Sequence, residues 1–222
     1  MRLLTLARDL RRRRGRERQG RFVAEGVRAV EELLASGLAV EGVLAAPSLD
    51  ATPRGAALRA AAAARGVPVT DVTESDVASA ADTESPQGIL AIAPVPARAL
   101  DELALPPEAR LVVLDGVQDP GNVGTILRTA AALGAGAVLA LPGTVDLWNA
   151  KVVRSAMGAL FVRPTVSCTW DELDRFRRAQ RVALWGADAG GEPVADTPGV
   201  APLPARLALA VGNEGNGLSA EL

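Results

Sequence analysis

The sequence predicts an α/β protein, with a small α/β domain followed by a larger one built on a parallel sheet. Three observations predict it. Strand-like and helix-like segments alternate along the 222-residue chain. Leu111–Leu114 and Leu207–Val211 are continuously apolar rather than alternating, as expected of strands covered on both faces and hence of a parallel sheet. A turn-rich loop follows each of these two strands, where open α/β sheets bind ligands.

In the first part of the chain, Leu3 to Arg14 predicts a short basic helix and Arg14 to Arg21 a flexible basic segment. Phe22–Gly26 reads as a strand ending in glycine. Val27 to Ser36 reads as a helix, with Val30, Leu33 and Leu34 on one face and Gly37 as its stop. Val40–Ala45 predicts a strand, and the alanine-rich run Arg54 to Arg65 a helix. Val67–Val69 is a short strand, Glu74–Ala80 a short helix, and Ile89–Ala93 a strand broken by Pro94 and Pro96. Residues 1–97 are therefore expected to form one α/β domain. Residues 98–109, with Pro106 and Pro107, are expected to form a linker, and 110–222 a second domain.

The second domain opens on Leu111–Leu114. A loop through Asp119-Pro120-Gly121-Asn122 leads to a helix starting near Val123, with Ile126, Leu127, Ala130 and Leu133 on one side, and Gly134 as its stop. Val138–Leu141 is the next strand, which makes one βαβ unit. Asp146–Met157 predicts a helix, Val162–Val166 a strand, and Trp170–Gln180 a helix with Trp170, Leu173 and Phe176 inward. Val182–Gly186 predicts a strand, Gly190–Pro204 a loop-rich stretch, and Leu207–Val211 the last strand.

Composition narrows the chemistry. The chain has no histidine and one cysteine, Cys168. That excludes an internal disulfide and the Ser-His-Asp and Cys-His nucleophile systems, and argues against a protein-built zinc site. No apolar run approaches the roughly 20 residues of a membrane helix, and no apolar stretch follows the arginine-rich start as in a secretory signal. A cytoplasmic protein is expected. Charge is unevenly distributed: residues 1–30 hold ten arginines against Asp9, Glu17 and Glu25, a net of +7 that leaves −9 for the remainder of a chain totalling −2. Four consecutive arginines, Arg11 to Arg14, are hard to explain as one solvated helix face. Phosphate binding is the stronger reading, since guanidinium forks match phosphate oxygens.

The two loops lack the GxGxxG pattern of dinucleotide sites and the P-loop pattern of nucleotide triphosphatases. Asn122 could simply cap the next helix, and Arg128 could be an exposed helix residue. Gly212-Asn213-Glu214-Gly215-Asn216-Gly217 could be a turn with a solvated Glu214. Two such loops in one parallel domain fit better with a backbone-lined cleft for an adenosine-bearing ligand.

The segments DGVQDPGNVGTILRTAAALGA and ALAVGNEGNGLS resemble the first and second signature motifs of the SpoU/TrmH class of SPOUT RNA methyltransferases. VDLWNAKVVRSAMGALFVRP resembles the segment linking them, and RFVAEGVRAVEELLASG the start of that class's RNA-binding domain, which is similar to a small ribosomal protein fold. The resemblance implies a parallel-sheet SPOUT domain with a C-terminal trefoil knot, an exception to the rule against knotted chains. It also implies a homodimer and transfer of a methyl group from S-adenosylmethionine to a ribose 2′-hydroxyl of RNA, ribosomal RNA first and transfer RNA second, with no metal. An antibiotic-resistance enzyme of the same kind and a non-catalytic RNA-binding protein are the alternatives. The family's third motif would follow Ser219, so completion of the knot is expected from residues beyond Leu222.

The resemblance further implies Asn122, Arg128 and Glu214 as candidate catalytic residues and Gly212 as a cofactor contact. Asn213 and Gly215 of the same motif are grouped with it, and Gly186 and Ala187 join from their place at a strand end. Arg128, which stays protonated, is expected to hold phosphate and stabilise a developing alkoxide. RNA is expected to bind at Arg11, Arg12, Arg13, Arg14, Arg16 and Arg18.

Overall fold

The computed structural model describes residues 2–191 and 203–222; most of the predicted Gly190–Pro204 loop lies outside the described residues. The chain divides into two compact units. One is the chain through Ala97 together with Asp146–Val162; the other is Arg98–Val145 together with Arg163–Leu222.

The first unit begins with α1 (Arg2–Leu10), whose Leu4, Ala7 and Leu10 recur at helical spacing and are buried. α2 (Arg13–Gln19) follows, so the stretch predicted to be flexible is helical. Its physical reasons are legible in retrospect. Gly15 packs so closely on α1 that an added Cβ would lie 2.1 Å from the Asp9 carbonyl oxygen. Arg13 pairs with Glu17 at 2.7 Å, one helical turn on. Arg16 turns inward, and its Nη1 donates to the carbonyls of Leu10 at 2.8 Å and Arg11 at 2.9 Å. It thereby satisfies acceptors that the end of α1 leaves orphaned.

β1 (Arg21–Glu25), α3 (Val27–Ala35), β2 (Gly42–Ala45), the single turn α4 (Pro47–Asp50), α5 (Pro53–Ala64), β3 (Val69–Asp71), α6 (Glu74–Ala80) and β4 (Ile89–Pro94) complete the first stretch. α5 starts with Pro53 behind a Thr52 cap, and α6 with a Thr73/Asp76 capping box. The sheet order is β1-β4-β2-β3. β4 runs antiparallel to both β1 and β2, and β2 and β3 are parallel. Leu44, Leu90, Ile92 and Val23 meet the buried face of α1 and Val77 of α6 in the core.

In the second unit a 3₁₀ turn at Leu100–Glu102 precedes β5 (Ala109–Leu114). Leu100, Leu103 and Leu105 of the predicted linker pack against this unit's core. α7 (Pro120–Ala132) begins three residues before the predicted Val123, because Pro120 has its φ preset for a first helical position. It buries Val123, Leu127 and Ala130. β6 (Ala137–Ala140) runs parallel to β5.

The chain then leaves the unit. α8 (Ala150–Ser155) and α9 (Ala159–Val162) belong to the first unit, where the sequence reading assigns them to the second domain. Hydrophobic and charged contacts fix them there. Phe22, fully buried, has its ring centroid 4.5 Å from that of Trp148 and 5.8 Å from that of Phe161, and burying a ring of that size contributes roughly 1.5–3 kcal/mol. Arg16 Nη2 lies 2.5 Å from Asp146 Oδ2. Arg154 lies 3.5 Å from the buried carboxylate of Glu25, which also accepts the backbone N–H groups of Asp82 at 2.8 Å and Thr83 at 3.2 Å.

The chain returns for β7 (Thr165–Ser167), α10 (Trp170–Ala179), β8 (Ala183–Ala187) and β9 (Arg206–Val211). α10 has a Thr169/Glu172 capping box and, as expected, buries Leu173 and Phe176. The sheet order is β7-β6-β5-β9-β8, with every pairing parallel. Leu111, Val113, Leu139, Ala208 and Ala210 meet Leu173 and Phe176 in the core. The covering of β9 is incomplete among the described residues: Leu209, in register with Val112 and Trp185, is 41% exposed. β5 and β9 are central neighbours, so the two predicted loops leave adjacent strands at the same edge of the sheet.

Candidate functional site

The site lies in the second unit, where the loops after β5 and β9 meet. Asp119, not Asn122, caps α7: its Oδ1 accepts the Asn122 backbone N–H at 2.8 Å. Asn122 is therefore a residue of the first helical turn, and its side chain is available for other work. Its Nδ2 donates to Glu214 Oε1 at 2.9 Å, joining the first motif to the second across 92 positions of sequence. Both side chains are exposed to solvent.

Glu214 is held below the usual carboxylate range, first by the Asn122 side chain, then by its own backbone N–H and those of Gln118 and Asp119. It presents a carboxylate at neutral pH. Arg128, half-buried on α7, donates from Nη2 to Thr125 Oγ1 at 3.2 Å, and Thr125 Oγ1 donates to the Gly121 carbonyl at 3.0 Å. The guanidinium is thus tied to the turn of α7 that precedes it, six residues and more than one and a half turns after Asn122.

The second loop closes on itself. Asn213 and Gly217 exchange backbone hydrogen bonds at 2.8 and 2.9 Å. Asn213 Oδ1 accepts the N–H groups of Gly215 at 2.9 Å and Asn216 at 3.0 Å. Its Nδ2 donates to the Gly116 carbonyl at 2.9 Å, so Asn213 serves the loop's shape with every polar atom of its side chain. Gly212 is required by contact: a Cβ there would lie 2.4 Å from the Gly217 carbonyl atoms. Gly186, at the end of β8, meets Leu218 in the same way, with a Cβ placed 2.4 Å from Leu218 Cδ1. Ala187 is exposed beside it. The predicted cofactor residues Gly186, Ala187, Gly212, Asn213 and Gly215 therefore lie on or next to one another at the carboxyl ends of β8 and β9.

Sequence reasoning missed three residues that hold this junction. Asp115, 5% exposed, accepts the Ser219 N–H at Oδ2 over 2.6 Å. Thr144 Oγ1 accepts from Gly116 N at 3.2 Å and donates to the Leu114 carbonyl at 3.0 Å. Thr125 orients Arg128. An acidic residue directly after a buried strand was the signal for Asp115; Thr144 carried none.

Of the predicted RNA-binding arginines, Arg16 is 7% exposed and committed to Asp146 and two carbonyls. Arg13 pairs with Glu17, and Arg18 with Asp9 at 2.7 Å. Arg11 donates to the Ser79 carbonyl at 3.1 Å. Arg12 and Arg14 are exposed with no side-chain hydrogen bond or ion pair among the described residues. The clefts of about 390 Å³ beside β7 and about 430 Å³ at the starts of α3 and α5 contain none of the predicted site residues. Among the described residues no group of three or more His, Cys, Asp or Glu side chains could hold a metal ion, and no helix is long and apolar enough to cross a membrane.

A parallel sheet with two glycine-rich loops meeting over its central strands, preceded by a small mixed-sheet unit, defines the class of SPOUT methyltransferases with an N-terminal substrate-binding domain. Residues 109–222 match the SpoU rRNA methylase family, and residues 5–91 match the MRM3-like substrate binding domain. The chain belongs to the SpoU rRNA methylase family. It is 34% identical over 208 residues to the 23S rRNA (guanosine(2553)-2′-O)-methyltransferase RlmP of Bacillus subtilis, covering 93% of this chain and 77% of that protein. It is 32% identical over 172 residues to the human mitochondrial rRNA methyltransferase 3, covering 72% of this chain and 38% of that protein. The crystal structure of the SpoU methyltransferase AviRb from Streptomyces viridochromogenes, in complex with AdoMet, matches at a TM-score of 0.83 and 26% identity, over 98% of this chain and 83% of that one.

Proposed function

We propose that this protein transfers a methyl group from S-adenosylmethionine to a ribose 2′-hydroxyl of ribosomal RNA. The observation that carries the reading is the Asn122–Glu214 hydrogen bond, which joins the two motif loops at the carboxyl edge of the sheet, with Arg128 further along the same helix as Asn122. The residues fit the cofactor: backbone groups and glycines at Gly186, Ala187, Gly212 and Gly215 line the ends of β8 and β9, and no added Cβ at Gly217 would meet protein within 4 Å. Such a surface suits the neutral adenosine moiety. S-adenosylmethionine supplies an electrophilic methyl on a sulfonium, so the protein's task is alignment and stabilisation of the nucleophile.

Arg128 stays protonated at all working pH values. It binds a phosphate of the RNA and stabilises negative charge as it develops on the 2′-oxygen, whose proton leaves to solvent while the O–C bond forms and the C–S bond of the cofactor breaks. Glu214 and Asn122 tie the two loops together while Thr125 orients Arg128, and Glu214 remains an acceptor throughout. In the first unit, Arg12 and Arg14 are the arginines best placed to take RNA phosphates, supported at the rim by Arg11, Arg13 and Arg18. Arg16 acts beneath them as a brace. We read the working form as a cytoplasmic homodimer, after the SpoU/TrmH resemblance and the bacterial relative; light scattering of the purified protein tests the dimer.

The test of the activity is transfer of tritium from methyl-labelled S-adenosylmethionine to ribosomal RNA, followed by complete nucleoside digestion. Label in 2′-O-methylnucleosides is expected. Label on a base, on transfer RNA only, or on no RNA would overturn the reading.

A further inference from the structure

Asp115 is a buried carboxylate that the proposed transfer does not use. It is 5% exposed and sits directly after β5, between the strand and the first loop. Its own N–H continues the sheet ladder to the Val211 carbonyl at 2.9 Å. Its Oδ2 accepts the Ser219 N–H at 2.6 Å. One residue on, the Gly116 carbonyl accepts Asn213 Nδ2 at 2.9 Å. The end of β5 therefore grips the second loop at both its ends: Asn213 at the start and Ser219 at the finish. Between those two points the loop is closed by its own Asn213–Gly217 bonds.

The finish of the loop matters because Leu218 packs against Gly186, at the end of β8. Ser219 is the next residue. Fixing its N–H fixes Leu218, and with it the relation between the two strand ends that carry the candidate cofactor residues. Side-chain oxygens buried at such a position need donors held in place, because water does not reach them to serve instead.

We infer that Asp115 is a positioning residue for the cofactor loop: it holds Leu218 and Ser219 so that the ends of β8 and β9 form one surface. The inference rests on the cofactor reading given above for its consequence, but not for its geometry. The carboxylate acts as an acceptor. Its isosteric amide keeps an acceptor oxygen, and alanine keeps none.

The test uses the purified full-length protein and the variants Asp115→Asn, Asp115→Ala and Ser219→Pro, the last of which deletes the donor itself. Amide exchange at Ser219, read by NMR or by mass spectrometry of peptides spanning it, reports the bond directly in the first two variants. Binding of S-adenosylmethionine by calorimetry reports the consequence. Exchange at Ser219 is expected to rise roughly tenfold or more in Asp115→Ala and to stay near the parent value in Asp115→Asn. S-adenosylmethionine affinity is expected to fall roughly tenfold in both Asp115→Ala and Ser219→Pro and to be rescued in Asp115→Asn.

Unprotected Ser219 in the parent protein, or parent-like protection and affinity in Asp115→Ala, would overturn the inference. Should Asp115→Ala fail to fold, parent-like affinity in Ser219→Pro overturns it instead. A parent protein that binds no S-adenosylmethionine defeats the cofactor reading, while the exchange measurement still decides the role of Asp115.

Discussion

Asn122 Nδ2 and Glu214 Oε1 are 2.9 Å apart, although 92 residues separate them in sequence. The bond exists because β5 and β9 are neighbours in a parallel sheet, and because Asp119 takes over the capping of α7. It makes one functional unit of two loops that the sequence presents separately. Asn122→Ala and Glu214→Ala are therefore expected to be non-additive. The double variant should lose about as much methyl transfer as the worse single one, a signature of direct coupling. Independent, multiplying losses in a single-turnover assay would separate the two loops.

Arg128→Ala removes the guanidinium that Thr125 orients on α7. Transfer is expected to fall by about 10²–10³-fold, the range for losing one preorganised electrostatic contact. Binding of S-adenosylmethionine, measured by calorimetry, should be nearly unchanged. Turnover equal to the parent's would refute the role.

Glu214 titrates below its ordinary range because Asn122 and nearby backbone N–H groups favour the charged form. A depressed carboxylate contributes stability that is fully present above its unfolded value, near 4.3, and is lost as pH falls through the lower folded value. The Asn122–Glu214 bond should thus be unaffected between about pH 6 and pH 8, well above the roughly 4.3 of a free glutamate. A carbon-detected NMR titration of the Glu214 carboxyl should place its midpoint below that of a free glutamate, and Asn122→Ala should raise it.

Arg16 and its neighbours in sequence should behave differently. Asp146→Ala strands a buried guanidinium and is expected to destabilise the protein by about 3 kcal/mol, read as a lowered denaturation midpoint. Arg12→Ala and Arg14→Ala should leave stability within about 0.5 kcal/mol. They should also reduce the salt slope of RNA binding by roughly 0.7–0.9 each. An unaltered slope would mean that these arginines are merely solvated.

Burial, and then Glu172, push the Cys168 thiol up to about 11. The thiolate is the reactive form, so at neutral pH native Cys168 should resist iodoacetamide and react promptly once the protein is unfolded in guanidinium. Equal rates in the two states would contradict its burial.

Much of this was legible in the sequence. Leu111–Leu114 and Leu207–Val211 announced a parallel sheet by being apolar throughout, and the helix over Trp170–Gln180 followed from inward Trp170, Leu173 and Phe176. The motif residues Asn122, Arg128 and Glu214 could be picked out, but not the contact of Asn122 with Glu214, which depends on which strands become neighbours. Two features were not legible. The helix at Arg13–Gln19 looks like a flexible charged run because its stability comes from Gly15 touching α1 and from Arg16 reaching Asp146, 130 positions away. The departure of Asp146–Val162 to the first unit has no local signal either: Trp148 and Phe161 would suit any apolar core, and the partners that hold the segment, Phe22, Arg16 and Glu25, lie more than 120 positions away in sequence.

That departure makes the polypeptide pass between the units at three peptide links, after Ala97, Val145 and Val162. The specificity of such an enzyme therefore cannot be exchanged by a single splice at the proline-rich junction. A graft cut at Ala97 would leave Phe22 without its two aromatic neighbours, Arg16 without Asp146 and Glu25 without Arg154. A transplantable recognition module must carry residues 146–162 with it, as a second insert between the strands β6 and β7 of the recipient. In lineages that acquired new RNA targets by recombination, the breakpoints should accordingly come in threes, near the positions of Ala97, Val145 and Val162.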